Sequence, residues 1–226
     1  MTTMRRTPIA LLATLALGLA LALPAAAPAT LNEVGLIPVT TPATVPSCPS
    51  SPCLAVSRTT GFQTKVGAVN KPLVVRRTGS LVAWTIMLGK PNATQIKFFN
   101  ANEGGVAQAG IAILRAQTKQ RLTYKLVAQS PPVALQHYFG TTVELPLETT
   151  LAVKKGDIVA LTVPTWAPAL ALGFGHETSW RASRAKGQCA STSSLSTHTQ
   201  IGSSVQYYCL YQTARLAYSA TVISTP

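Results

Sequence analysis

Few side chains in this sequence could do chemistry, and they are scattered. The 226 residues hold six acids, three histidines and four cysteines. A glycosidase-like hydrolase needs two carboxyls across the scissile bond, about 5.5 Å apart in retaining enzymes and about 6.5–9.5 Å in inverting ones. Glu144 and Glu148 are the acids closest in sequence. On a strand their spacing puts them ~13 Å apart, so they read as solvated charges of a sheet face. A secreted hydrolase, the alternative function, would need acids that converge only in the fold. A Ser-His-Asp triad would have to join Asp157 to His137, His176 or His198, and no G-x-S-x-G elbow accompanies them. Asp157 follows Lys155-Gly156 and reads as a turn residue that bonds its own backbone. There is no H-E-x-x-H helix. His176-Glu177 is the densest ligand pair, but neighbours on a strand point to opposite faces. We therefore expect no catalytic set, no metal site and no cofactor.

The cysteines form two local pairs. Cys48 and Cys53 bracket Pro49-Ser50-Ser51-Pro52, and Cys189 and Cys209 bracket a Ser/Thr-rich stretch. Loop closure is cheapest locally, which favours Cys48–Cys53 and Cys189–Cys209 disulfides. Disulfides require an oxidising compartment, and the chain opens as an exported protein does. Arg5 and Arg6 precede an uncharged apolar run, Ile9 to Leu23, which Pro24 and the small residues Ala25 to Ala29 then end. Residues 1–29 thus read as a signal peptide cleaved near Ala26 to Ala29. That makes the protein secreted, extracellular or associated with the cell wall. No later segment is long and apolar enough for a transmembrane helix.

The whole chain carries a formal charge of +13. Two of its 19 cations and none of its six acids lie in the leader, which leaves +11 on the mature chain. The cations gather at Arg76-Arg77, Lys119 to Lys125, Lys154-Lys155 and Arg181 to Lys186. A positive surface concentrates polyanions, and it also keeps an exported protein in solution. No specific nucleic-acid motif is present. Aromatic residues collect in the last third. Trp166 stands between prolines, Trp180 beside Arg181 and Arg184, and Tyr208 on the strand face opposite Tyr207, Cys209 and Tyr211. Trp166, Trp180, Arg181, Arg184 and Tyr208 are therefore the candidate ligand-binding residues, for a cell-wall glycan or an anionic polymer. The function expected is a non-catalytic binding module.

Short strands must position these side chains. Leu122, Tyr124 and Leu126 alternate with Arg121, Thr123 and Lys125. Leu216, Tyr218, Ala220 and Val222 alternate with smaller residues, and Ile96 and Phe98 with Gln95 and Lys97. Period two predicts half-buried strands. Leu81 to Leu88, Ile111 to Leu114 and Ile158 to Val163 are apolar on both faces and read as central strands. Turn-forming residues separate the runs, as in Glu103-Gly104-Gly105 and Lys154-Lys155-Gly156-Asp157. The count is about ten strands with no long amphipathic helix, which predicts an all-β, two-sheet antiparallel, jelly-roll-like sandwich. Residues 30–52, rich in Pro, Thr and Ser, read as an extended lead-in. Residues 53–226 read as one β-sandwich domain. The polar stretch 183–204 reads as a long surface loop before a strand from Val205 to Gln212.

Four stretches, Leu151 to Asp157, Val163 to Pro168, Ser179 to Arg184 and Arg215 to Ala220, resemble secreted proteins of soil actinobacteria. The resemblance runs from about Cys48 to the end of the chain. It implies the same exported β-sandwich layout and carries over no functional residues.

Overall fold

The computed structural model describes residues 29–38, 40–44, 46–190 and 195–224. The leader expected over residues 1–29 lies outside them but for its last residue. Within them are fifteen strands and one α-helix. In chain order these are β1 (Thr30–Val34), β2 (Val56–Val66), β3 (Val69–Asn70), β4 (Gly79–Met87), α1 (Ala93–Asn102), β5 (Gln108–Ala116), β6 (Thr123–Gln129), β7 (Val133–Ala134) and β8 (Thr142–Val153). There follow β9 (Ile158–Ala167), β10 (Leu170–Leu172), β11 (Ser179–Ala182), β12 (Ser204–Gln206), β13 (Cys209–Gln212), β14 (Ala214–Leu216) and β15 (Tyr218–Ser224).

Eight of the strands make a jelly roll. One sheet has the order β1-β15-β4-β8, and β6-β5-β9-β2 is the heart of the other, with every neighbouring pair antiparallel. The chain crosses repeatedly from one sheet to the other, the double Greek-key arrangement of a jelly roll. The buried cluster draws on both sheets, with Leu81, Trp84, Ile86 and Tyr218 from the first and Ile111, Ile113, Val159 and Leu161 from the second. The Tyr218 hydroxyl crosses between them and donates to the carbonyls of Val159 and Gly61 at 2.9 and 3.3 Å. β5 and β9 are buried on both faces, as their continuous apolar runs predict.

The segment between β9 and β15 extends the second sheet at both edges. β11 pairs with β2 and carries β13 beyond it, while β12 pairs with β6 on the far side. Only Tyr207 and Tyr208 separate β12 from β13. Three Cα steps reach at most about 11 Å, so the seven-strand path must curl until its ends nearly meet. Phe62, Tyr124 and Tyr207 pack inside that curl with ring centroids 5.2–5.5 Å apart. The continuous strand expected over Val205–Gln212 is thus two strands serving opposite edges. Most described residues of the stretch expected as a surface loop are exposed or half-buried, as a surface loop requires, but Ser183 and His198 turn inward and are buried.

One other expectation changes. Gln95 to Phe98 lies in a helix, not a strand. Asn92 and Gln95 form a reciprocal capping box that satisfies two N–H groups at its start, and Phe99 is the residue it buries. The period is set by Ile96 and Phe99, three apart, rather than by Ile96 and Phe98. The extended lead-in begins in a strand that the sequence did not mark. Thr30–Val34 is an edge strand of the first sheet, paired along its length with β15. Beyond it, the buried Arg215 guanidinium donates to the carbonyls of Gly35 and Leu36 at 3.1 and 2.6 Å. Thr44 lies so close to Gly89 that a Cβ there would overlap its carbonyl oxygen. No described helix is long and apolar enough to cross a membrane.

Both cysteine pairs are closed as Cys48–Cys53 and Cys189–Cys209. The two disulfides point to an oxidising compartment.

Candidate functional site

The five candidate ligand residues occupy three separate places. Trp166, on β9, is fully buried. Its ring stacks on Phe99 at 4.6 Å, and its Nε1–H donates to Asn100 Oδ1 at 3.1 Å and to the Gly105 carbonyl at 2.9 Å. Trp180, on β11, is 6% exposed. It lies flat on β2, where a Cβ on Gly61 would meet its ring at 2.9 Å, and it stacks on its cross-strand partner Tyr211 at 4.7 Å. Neither indole offers an open face to a glycan, so the ligand-binding role expected of Trp166 and Trp180 is corrected to core packing. Both sit on strands of the extended sheet, Trp166 under Phe99 and Phe139 and Trp180 against its sheet neighbours Gly61 and Tyr211.

Arg184 belongs with Trp180 and Tyr211. Its Nη1 donates to the Tyr211 hydroxyl at 2.9 Å and to the Cys189 carbonyl at 3.2 Å, and the same hydroxyl donates to Cys189 O. This arginine ties the second disulfide to the sheet edge.

Arg181 and Tyr208 do come together. Successive residues of β11 alternate faces, so Arg181 points away from Trp180, toward the mouth of the curled sheet. Its Nη1 donates to the carbonyls of Tyr207 and Tyr208 at 3.2 and 2.6 Å. Arg181 and Tyr208, with Arg121, Gln206 and Leu210, line an open hollow of about 470 Å³. Tyr208 is 38% exposed there. Burial lowers the Arg181 pKa from its ordinary value; the ring of Tyr124 opposes the shift and the nearby Arg121 adds to it. No acid lines the hollow. Arg121 is the residue sequence reasoning did not place in the site. It stands two residues before β6, and only the curl carries it to β11.

A second hollow, of about 560 Å³, lies on the other side of Arg181 and Leu122, which line both. Its floor is apolar, from Phe62, Leu73, Tyr124 and Ile158, and Lys71 stands with Arg181 at its rim.

The acids are occupied or dispersed. Asp157 accepts from Arg115 Nε and Nη2 at 2.8 and 2.9 Å and from the backbone N–H of Lys154 at 2.8 Å. The last of these is the turn role its sequence implied. Glu103 pairs with Arg58 at 3.1 Å, and Glu33 accepts from the Thr221 hydroxyl at 2.8 Å. Glu144 and Glu148 are exposed on β8. His198 does meet a serine: its Nε2 lies 3.0 Å from Ser203 Oγ and 3.2 Å from Ser203 O. The Ser203 hydroxyl, however, donates to Gln200 O at 2.6 Å, and the other ring nitrogen faces Tyr207, not a carboxylate. The imidazole therefore donates where a general base would accept. Among the described residues no three of His, Cys, Asp and Glu come together.

Compared with protein-family models, with curated proteins and with solved structures, the chain finds no match.

Proposed function

We propose that the chain acts outside the cell as a non-catalytic β-sandwich module that binds anionic polymers, with the hollow of Arg121, Arg181 and Tyr208 as its contact surface. The observation that carries this reading is the pairing of two arginines, from sequence positions 60 residues apart, in an open hollow that no acid lines. Two like charges held close raise each other's energy, and a bound anion relieves both. The wider surface favours the same class of partner, because the described residues form only two ion pairs and leave a large cationic excess. The expected leader and the two disulfides suit an extracellular address. Outside a bacterium, phosphate-bearing wall polymers have the required charge. With both candidate tryptophans buried, charge rather than ring stacking is the recognition term.

The test is retention of the protein on immobilised poly(glycerol phosphate) and on an uncharged glucan, at low and at high salt. Screening shrinks from about 10 Å at 0.1 M to about 3 Å at 1 M, so retention on the phosphate polymer should be lost at high salt. It should also fall in an Arg121→Gln/Arg181→Gln double variant. Equal retention on the glucan, or retention that ignores salt, overturns the reading.

A further inference from the structure

The hollow beyond Arg181 differs from the polymer-binding surface in shape and chemistry. It is formed by Phe62 on β2, Tyr124 on β6, Ile158 at the start of β9 and Leu73 in the segment after β3, so its floor is apolar from four directions. Phe62 and Leu73 are themselves almost wholly buried, which makes the floor part of the packed core rather than a patch of loose surface. The rim is cationic, from Lys71 and Arg181. No acid is among its lining residues; Asp157, between the lining residues Gly156 and Ile158 in sequence, has both its oxygens engaged by Arg115.

Three lining residues are held in the left-handed region of backbone space: Lys71 at φ 52°, Leu122 at φ 58° and Gly156 at φ 93°. For Lys71 and Leu122 this conformation costs energy, and the surrounding structure maintains it through Lys71 N–H to Thr64 O at 2.8 Å and Tyr207 N–H to Leu122 O at 2.7 Å. Among the described residues, two of the four non-glycine residues with positive φ thus stand around one hollow.

We infer that this hollow is a binding site for an amphipathic mono-anion, its acyl or aromatic body on Phe62, Leu73, Tyr124 and Ile158 and its carboxylate or phosphate head between Arg181 and Lys71. Charge complementarity chooses the head and the apolar floor chooses the body. An inorganic anion would leave the floor wet, and a neutral hydrocarbon would leave the two cations unmet. Arg181 has the geometry for the role. One Nη1 is anchored on the carbonyls of Tyr207 and Tyr208, which fixes the guanidinium plane beside the hollow, and the fork binds carboxylate and phosphate oxygens in pairs. The same chemistry is offered by a free acyl carboxylate and by an anionic lipid presented at a membrane surface. The inference does not rest on polymer binding, which needs Arg121 and not the apolar floor.

The experiment is calorimetric titration of the protein with decanoate, 1-decanol and acetate, alongside flotation with phosphatidylglycerol and phosphatidylcholine vesicles. Decanoate should bind one to one. Acetate and decanol should each bind at least about tenfold more weakly, since each lacks one half of the interaction. Ala116 is an exposed residue at the edge of the hollow, so Ala116→Trp fills the space without touching the core. It should abolish decanoate binding while leaving retention on poly(glycerol phosphate) unchanged. Arg121→Gln should do the reverse, which separates failure here from failure of the polymer reading. Flotation with phosphatidylglycerol alone, lost in Ala116→Trp, would make the lipid the natural source of the head and chain. Decanol binding as tightly as decanoate, acetate binding as tightly as decanoate, or Ala116→Trp leaving both decanoate binding and flotation intact, overturns the inference. Near-ultraviolet circular dichroism of each variant confirms that the fold is kept.

Discussion

Arg115 and Asp157 form a bidentate pair in which only one partner is out of water. Nε and Nη2 reach the two carboxylate oxygens at 2.8 and 2.9 Å, while Asp157 is 1% exposed and the Arg115 side chain 41%. The same carboxylate holds the Lys154 N–H, and its backbone carbonyl accepts from Val75 N–H at 2.8 Å. One aspartate therefore joins the β8–β9 turn to the end of β5 and to the segment before β4. Breaking a buried pair on one side costs about 3–5 kcal/mol when both partners are buried. Here solvent reaches the arginine, so Asp157→Asn should lose about 2–3 kcal/mol. Arg115→Met should lose more, because it leaves a buried carboxylate with no cation. Urea unfolding of the two variants gives the order, and a more stable Arg115→Met would show that the pair is not what holds the turn.

The disulfides should differ in worth by loop length. The Cys189–Cys209 link closes a loop of sequence separation 20 and the Cys48–Cys53 link one of 5. The chain-entropy account gives about 3 kcal/mol for the longer and about 2 kcal/mol for the shorter. The paired serine variants should unfold in that order by urea titration. Thiol labelling of the unfolded, unreduced protein should find no reactive cysteine.

What the sequence showed depended on how far apart the cooperating residues lie. The central strands β5 and β9 were legible because burial on two faces leaves an unbroken apolar run, whereas β4, read in the same way, is buried on one face and half-buried on the other. The disulfides were legible because each pair is local. The helix was missed because it buries one residue fully, Phe99, and its capping box at Asn92 and Gln95 looks like turn chemistry in a chain of turns. The first edge strand was missed because Leu31 is exposed and only Val34 is buried there, so no alternation marks it. The candidate site was half legible. Arg181 and Tyr208 were chosen for type and neighbourhood, and they do share a hollow. Arg121 depends on a sheet closing through two residues, Tyr207 and Tyr208, and no local pattern carries that information. Trp166 and Trp180 misled for a related reason. A tryptophan flanked by prolines or arginines looks exposed in one dimension, whereas here the strand buries the ring and leaves its flanks to reach the surface.

The burial of all three tryptophans has an optical consequence. Trp84, Trp166 and Trp180 are 1%, 0% and 6% exposed. Intrinsic emission should be blue-shifted and nearly immune to iodide, and titration with soluble wall glycans should leave it unmoved. Saturable quenching by an uncharged oligosaccharide would restore a sugar platform and contradict the burial of Trp166 and Trp180.

His198 makes the stability of the curled sheet depend on pH. The ring is 3% exposed, Nε2–H donates to Ser203 O, and Nδ1 accepts from the Tyr207 hydroxyl at 3.1 Å. Around it stand Thr60, whose Oγ1 accepts from the His198 backbone N–H, Ser203 and Tyr207, and none of its hydrogen-bond partners is a carboxylate. Burial lowers the pKa of the imidazole below 6.5, against the carbonyl of Ser203, which raises it; burial likewise raises the Tyr207 phenol well above its usual value. Between the lowered folded value and 6.5 the unfolded chain binds the proton and the folded one does not. Stability therefore rises with pH through that window, is complete above it, and is lost as pH falls through the folded value. A proton on Nδ1 would also require the Tyr207 hydroxyl to turn from donor to acceptor. His198→Gln keeps a donor and an acceptor but cannot charge. Thermal unfolding from about pH 7.5 to about pH 5, above the carboxylate range, should slope downward in the native protein more steeply than in the variant. Parallel curves would mean that His198 is not the group that loosens the Tyr207 seam.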